Sequence, residues 1–368
     1  MAIEEIRISG YRSLRDLRLR LWQLTVFTGP NGCGKSNLYR ALVIMAAAAR
    51  GDLARALAEE GGMPSALWAG DRRKGPVRLT LGVTDEMWDY EIAFGLPAPG
   101  LSAFVLDPEV KEEQVRLLSA GDRPVVLLER KNQSAWLRNQ EGRRVGYPLE
   151  LVQSESALSQ IVDPQLYPEL AYLRDQAAQW RFYHQFRTDP HSPLRQPQIG
   201  VRTTVLSAAG EDLAAALQTI QEIGDDRALA EEIDAAFPGA TLVIFQERGR
   251  FEVGLEMPGI KRAFEARELS DGTLRYLCLL AVALSPRPPA LLALNEPETS
   301  IHADLLGPLA RLIVRASETT QILVVTHSKT LSRHIEAASG CPIVRLEKVK
   351  GETLVAGDRT VEDGEEES

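Results

Sequence analysis

The chain has 368 residues, 44% apolar, 25% charged and 6% aromatic, with a formal net charge of −9. That composition excludes a disordered chain, a collagen-like repeat and a disulfide-stapled miniprotein, and it supplies apolar material for one large domain or two ordinary ones. Five acids and no base in residues 361–368 leave −4 on the rest of the chain, so no global basic footprint points to nucleic acid.

The chain opens as strands. Ile3–Ser9 alternates apolar and charged residues, Leu14–Leu21 repeats the alternation, and Leu24–Thr28 is a short buried run. Gly29–Ser36 interrupts, and Asn37–Arg50, rich in Leu, Ala and Met and followed by a glycine, reads as a helix. Residues 51–75 read as a helix and a Gly-rich loop. Val77–Thr84, Tyr90–Phe94, Val125–Glu129 and Ala135–Leu137 read as strands, and Leu149–Gln176 as helix broken by Pro164 and Pro168. An aromatic strand, Trp180–Phe186, precedes a polar loop over 187–200. Leu213, Leu217, Ile220, Ile223, Leu229 and Ile233 then recur at helical spacing, which makes 211–236 the clearest helix. Thr241–Gln246 and Phe251–Glu256 frame a hairpin at Arg248-Gly249. Helix Gly272–Leu284, strand Ala290–Leu294, helix Asp304–Ala316 and strand Gln321–Thr326 complete an alternating α/β pattern. With no internal repeat and no linker between two halves, the helical stretch, about 203–237, is expected to be an insertion in one domain spanning 1–360, with 361–368 a disordered acidic tail.

The apolar runs Ala41–Ala49 and Leu277–Leu284 fall well short of the roughly 20 residues that span a bilayer, and no signal peptide is legible at the start. Three cysteines in so long a chain form no disulfide framework, so a reducing cytoplasm is the expected location, with no membrane partner. Two local basic clusters, Arg12/Arg15/Arg18/Arg20 and Arg72/Arg73/Lys74, are either solvated faces or a nucleic-acid contact.

Gly29-Pro30-Asn31-Gly32-Cys33-Gly34-Lys35-Ser36 fits G-x-x-x-x-G-K-[ST] between a strand and a helix, the context in which the pattern binds nucleotide. Glycines let the loop wrap a phosphate with backbone N–H groups, the helix N-terminus favours the anion, Lys35 reaches the β- and γ-phosphates and Ser36 meets Mg²⁺. The nucleotide-binding set is therefore expected to be Gly29, Asn31, Gly32, Gly34, Lys35, Ser36 and Asn37, with Lys35 extending to solvent when no nucleotide is held. Three further strings stand at telling distances. Leu269-Ser270-Asp271-Gly272-Thr273 heads an apolar helix, and taken alone is an ordinary N-cap. Leu291–Leu294 runs into Asn295-Glu296-Pro297-Glu298, and Ile322–Val325 into Thr326-His327. From Gly272 to Glu296 there is room for one helix and one strand, and from there to His327 for another pair.

This order resembles the ATP-binding-cassette ATPase core: Walker A at 29–36, signature loop at 269–273, Walker B at 291–296 and switch histidine at 327. More narrowly it resembles the RecF/SMC/OLD branch, on the DNA-repair and anti-phage side of that superfamily. The Walker A continues as Gly-Lys-Ser-Asn, the start Ile6-Arg7-Ile8-Ser9-Gly10-Tyr11-Arg12-Ser13-Leu14 is similar to that branch's entry strand and turn, and Glu296-Pro297-Glu298-Thr299-Ser300-Ile301-His302 is similar to its E-P-E-x-x-L-H string. The resemblance spans about residues 2–345, with no motif in 50–175. It implies an α/β P-loop NTPase, an ABC/SMC-type head with a short helical insertion, binding ATP and Mg²⁺ and closing into an ATP-dependent homodimer. It implies that Ser270 and Gly272 contact the γ-phosphate held by a second subunit, that Glu296 positions or deprotonates the attacking water, and that His327 senses the γ-phosphate. Gln185 is the candidate Q-loop residue at Mg²⁺, against a plain surface glutamine. His302 falls at the subunit junction or is a satisfied core histidine. The chain departs from the pattern at Asn295, where an aspartate normally anchors Mg²⁺ with Ser36; the amide keeps the hydrogen-bonding shape and loses a charge, which points to slow hydrolysis.

The functional expectation is an ATP-hydrolysing switch for DNA repair, DNA-end handling or anti-phage defence, with DNA and a separate nuclease or other effector as candidate partners. Residues 187–268 are too few for an SMC coiled coil, and the 41 residues after His327 too few for an OLD-type nuclease domain. Two other readings compete. A transporter's ATPase subunit would carry Gly-Lys-Ser-Thr and a groove for a membrane protein, and a nucleotide-dependent binding module would show negligible turnover.

Overall fold

A computed structural model describes residues 2–71, 77–100, 102–118 and 123–357. The basic run Arg72-Arg73-Lys74 and the acidic tail 361–368 lie outside the described residues. No helix among the described residues is long and apolar enough to cross a membrane.

The centre is a six-stranded sheet in the order Arg181–Tyr183, Leu291–Asn295, Gln321–Val325, Leu24–Thr28, Ile343–Val349, Glu352–Val355, the first five strands parallel and the last antiparallel. Its interior strands are continuous apolar runs because both faces are covered. Alternation sends Leu291, Ala293, Leu323, Val325 and Phe27 into a core shared with helix Lys35–Arg50, and Leu292, Leu294, Ile322, Val324 and Val26 into a second core under helices Asp271–Ala283, Leu306–Ala316 and Lys329–Ser339. The polar residues that end these strands all emerge at one carboxyl edge, where open parallel sheets bind ligands.

The first core is closed by an eight-stranded antiparallel sheet, running from the edge strand Leu14–Arg20 through Glu5–Tyr11, Arg78–Thr84, Trp88–Gly95, Glu109–Leu117, Val125–Lys131 and Ser134–Arg138 to Arg144–Gly146. Strand Glu109–Leu117 escapes sequence reading because an acid fills an inward position. Glu113 is 2% exposed and Arg130 1% exposed, 3.6 Å apart. Glu113 accepts from Tyr90 Oη at 3.1 Å, Ser156 Oγ at 2.6 Å and the Ala157 amide at 2.7 Å. Arg130 donates to the carbonyls of Asn132, Glu155 and Val152 at 2.6, 2.5 and 2.8 Å. Those last two bonds explain why the stretch after Leu149 is not helix: its carbonyls serve Arg130, and helix is confined to Ala157–Gln160 and Pro168–Ala178.

In the second lobe the expected single helix is two, Leu213–Ile223 and Asp226–Ala236, broken at Gly224 and restarted by Asp225, whose carboxylate accepts from the Ala228 amide at 2.8 Å. The hairpin forms as Thr241–Glu247 and Arg250–Glu256, and Gln198–Ile199 and Phe264–Glu265 join the latter strand in a third sheet.

Arg130→Ala strands a buried carboxylate and three carbonyls. Urea unfolding is expected to show a loss of about 3–5 kcal/mol, as for other broken buried pairs; a loss below about 1 kcal/mol would show that the segment is held by something else.

Candidate active site

Strand Leu24–Thr28 delivers the Walker A loop to helix Lys35–Arg50. Gly34 caps that helix at φ +106°, and an added Cβ would stand 2.1 Å from Thr353 Oγ1 and 2.8 Å from Ser13 Oγ, so only glycine fits. Thr353 Oγ1 donates to the Cys33 carbonyl at 2.7 Å and stands 2.7 Å from Ser13 Oγ, which also accepts from Asn37 Nδ2 at 2.8 Å. The loop is thus wedged between the entry turn and the last hairpin. Lys35 does not extend to solvent as expected. It is 5% exposed, and its ammonium donates to the Gly29 and Pro30 carbonyls at 2.7 and 3.0 Å, spanning the loop it belongs to. Ser36, Asn31 and Gly32 are exposed.

Asn295, Glu296 and His327 come to the adjoining carboxyl edge. Asn295 is 3% exposed, with Nδ2 2.5 Å from His184 Nδ1 and with Oδ1 buried and unpartnered. Glu296 takes a left-handed backbone, φ +50°, an uncommon conformation for a non-glycine residue and one that recurs at functional turns. Its amide donates to the Val325 carbonyl at 2.7 Å, and its carboxylate lies 3.4 Å from His327 Nδ1. Glu298 turns inward and accepts from Thr326 Oγ1 and from the amides of His327 at 3.3 Å and Ser328 at 3.1 Å. A carboxylate on the amides that lead into helix Lys329–Ser339 complements its N-terminus, and it fixes the turn that presents His327.

Gln185 and Asn295 border the same small cavity, with no hydrogen bond between them among the described residues. Gln185 is exposed and lines a small cavity with Glu296 and Arg275; the neighbour His184 is the residue that meets Asn295. Ser270 is exposed, and its hydroxyl bonds only within its own helix, to the Thr273 amide at 3.1 Å and Thr273 Oγ1 at 2.8 Å. Gly272 has no room for a side chain, since a Cβ would stand 2.6 Å from the Ser300 carbonyl. Arg195 clamps this loop from below, donating to the Leu269, Ala266 and Thr188 carbonyls at 2.7, 3.1 and 2.8 Å and pairing with Asp271 at 2.6 Å. His302 is not a core histidine: its side chain is 76% exposed.

Sequence reading gave no role to Thr353, Arg195, His184 or Glu298. The first two act on partners far along the chain, for which no local signal exists. The register of two parallel strands would have found His184, and Glu298 stood in plain view inside the E-P-E string. Half of the first basic cluster is paired: Arg12 with Glu60 and Arg15 with Glu352 at 3.5 Å, while Arg18 and Arg20 have no ion pair among the described residues. Beside the Walker A loop opens a groove of about 860 Å³, bordered by Asn31, His327, Lys329, Arg333 and Arg345.

A glycine-rich loop between strand and helix, an acid and a histidine at one parallel-sheet edge, with a serine-capped helix facing outward, belong to an α/β P-loop NTPase fold. Residues 24–333 match the family described as "AAA domain, putative AbiEii toxin, Type IV TA system", and the chain belongs to that family. Among solved structures the fold is similar to the SmcHead bound to the C-winged helix domain of ScpA, with 15% identity, TM-score 0.56, and 96% of this chain and 97% of that one covered. It is also similar to the Smc head domain with an extended coiled coil bound to the C-terminal domain of ScpA from Pyrococcus furiosus, with 15% identity, TM-score 0.52, and 96% and 95% covered. No curated protein sequence matches the chain.

Glu298→Ala removes the acceptor shared by three donors at the switch turn. Hydrogen exchange at the His327 and Ser328 amides is expected to quicken at least about tenfold, and unchanged protection would mean that the helix holds the turn unaided.

Proposed function

We propose that the chain is a Mg²⁺-dependent ATP-binding and hydrolysing switch that dimerises head to tail around two ATP molecules. The observation that carries the reading is the division of the site. Lys35, Ser36, Asn295, Glu296 and His327 belong to one carboxyl edge, whereas Ser270 is exposed at the start of a separate helix, with a hydroxyl that bonds only to Thr273 of that helix. One protomer then supplies the phosphate cradle and its partner the signature hydroxyl.

The donor set fits a hard divalent cation: Ser36 offers a free hydroxyl, and Asn295 a buried carbonyl oxygen with no other partner. Bound Mg²⁺ would neutralise charge on the transferring phosphoryl group. The chain's own residues do the rest. Walker A amides and Lys35 bind phosphate, exchanging the Gly29 and Pro30 carbonyls for phosphate oxygens. Glu296 orients the water and accepts its proton, and His327, 3.4 Å from that carboxylate, donates to the γ-phosphate and reports its loss. An amide at 295 in place of a carboxylate lowers the local negative charge, which supports slow turnover and keeps a second reading, nucleotide-gated binding without turnover, in play for the same assay.

The role proposed is in DNA repair, DNA-end handling or anti-phage defence, in the cytoplasm, with a separate effector. The family's description as a putative toxin of a toxin–antitoxin system and the ScpA domains bound to two similar heads support action through a second component. DNA is the least supported partner, since two of the four clustered arginines already pair with acids.

Lys35→Ala is expected to abolish Mg·ATP binding in calorimetry; parental affinity would refute the Walker A assignment. Glu296→Gln is expected to double in mass with ATP in light scattering, and the added substitution Ser270→Arg to return it to monomer. A mass indifferent to ATP, or a double variant that still dimerises, would refute the composite site.

A further inference from the structure

His184 and Asn295 come level because Tyr183 pairs with Leu294 in the parallel sheet, so the next residue of each strand faces the other. Alternation places both on the side of the Walker A helix. Phe182 meets Tyr39 edge-on at 5.7 Å and the His184 ring lies 6.2 Å from the same ring, whereas Tyr183 enters the opposite core. Tyr39 is three residues beyond Ser36 on that helix, on the same face. His184 is therefore packed near a residue one helical turn from Ser36, exposed, with Nδ1 against the Asn295 amide.

The amide can turn either way, and a cation bound beside Asn295 would favour one of the two. Beside a divalent ion the carbonyl Oδ1 faces the charge and the NH₂ turns away. Nδ2 stands 2.5 Å from His184 Nδ1, and Oδ1 is buried without a partner, an orientation that would also suit a cation bound on the Oδ1 side. An imidazole that accepts at Nδ1 carries its proton at Nε2. We propose that His184, held by Asn295 in the Nε2–H tautomer, is a donor to the terminal phosphate oxygens of ATP, taking the place on the metal side that the family resemblance gives to Gln185. An aspartate at 295 offers only acceptors and would call the ring proton to Nδ1, leaving a neutral ring's Nε2 lone pair toward the phosphate.

The inference rests on the proposed ATP site, and one set of samples separates the two. Calorimetry of Mg·ATP is run on the Glu296→Gln protein, with and without changes at 184. His184→Ala is expected to weaken binding about tenfold, as loss of a hydrogen bond to a charged group does, and His184→Gln, which keeps an amide donor, to stay within about threefold of its parent. Long-range ¹H–¹⁵N spectra of ¹⁵N-histidine-labelled protein, with His184 assigned by its loss in His184→Gln, are expected to show the Nε2–H tautomer, and Mg·ATP is expected to shift that proton and slow its exchange. An Nδ1–H tautomer, a signal indifferent to ATP, or a His184→Ala protein with parental affinity would overturn the inference while leaving the ATP site standing. So would a ¹⁴N coupling in the electron-spin-echo spectrum of Mn·ATP complexes that vanishes in His184→Gln, because it would make His184 a metal ligand. Absence of ATP binding by the parent itself would instead refute the proposed function.

Discussion

The structure depends on a steric constraint at Gly34. With a Cβ there the Walker A loop would collide with Thr353 and Ser13, and without one the loop sits close enough for Thr353 to hold the Cys33 carbonyl and for Ser13 to hold Asn37. The two ends of the chain meet behind the loop. Thr353 also donates its amide to the Ser13 carbonyl at 2.8 Å, so the first hairpin and the last are fastened before either touches a phosphate. A loop so supported presents its N–H groups without having to be ordered on binding, which is what preorganisation contributes to affinity.

From that loop the remaining site is a row of strand ends. Asn295 reaches back to His184, and Glu298 reaches forward to the turn that carries His327. Around the corner the Ser300 carbonyl fills the space that a side chain on Gly272 would need, and Arg275 donates to the Thr299 carbonyl at 3.2 Å. The stretch after Walker B thus touches the start of the signature helix directly. Arg195 ties that same helix start to Thr188, just past His184. A change at the phosphate edge has two short routes to the exposed Ser270, one through Thr299–Ser300 and one through Thr188–Arg195. In the switch proposed above, a local rearrangement at the nucleotide would be passed through these packed contacts to the surface that carries Ser270.

What was legible in the sequence was local. Leu24–Thr28 as a strand, the glycines and Lys35 after it, and the apolar runs ending at Asn295 and Val325 are strings whose spacing alone fixes their place. The parallel sheet followed, because strands buried on both faces must alternate with covering helices. What was not legible depends on residues distant in sequence. Strand Glu109–Leu117 has no assignment from the sequence, because its inward acid makes sense only with Arg130 opposite Glu113. The helical look of residues just after Leu149 fails for the same reason, since Arg130 takes their carbonyls. Lys35 was expected outside and lies inside, because a loop that closes on itself offers the ammonium two carbonyls at no cost in reach. Sequence reading names Gln185 and not His184, and which of the two faces Asn295 depends on the side of the strand each occupies. Alternation encodes that, but it becomes readable only once the register against Leu294 and Asn295 is known.

The central claim is that each ATP site is built from two protomers, and mixing two inactive variants tests it most directly. Lys35→Ala keeps an intact signature helix and Ser270→Arg keeps an intact phosphate cradle. Hydrolysis measured on each alone is expected to be at background. An equimolar mixture is expected to regain activity, because the mixed dimer joins the intact cradle of one chain to the intact serine of the other. A mixture as inactive as its components, or a Ser270→Arg protein that hydrolyses ATP at the parental rate by itself, would contradict the account.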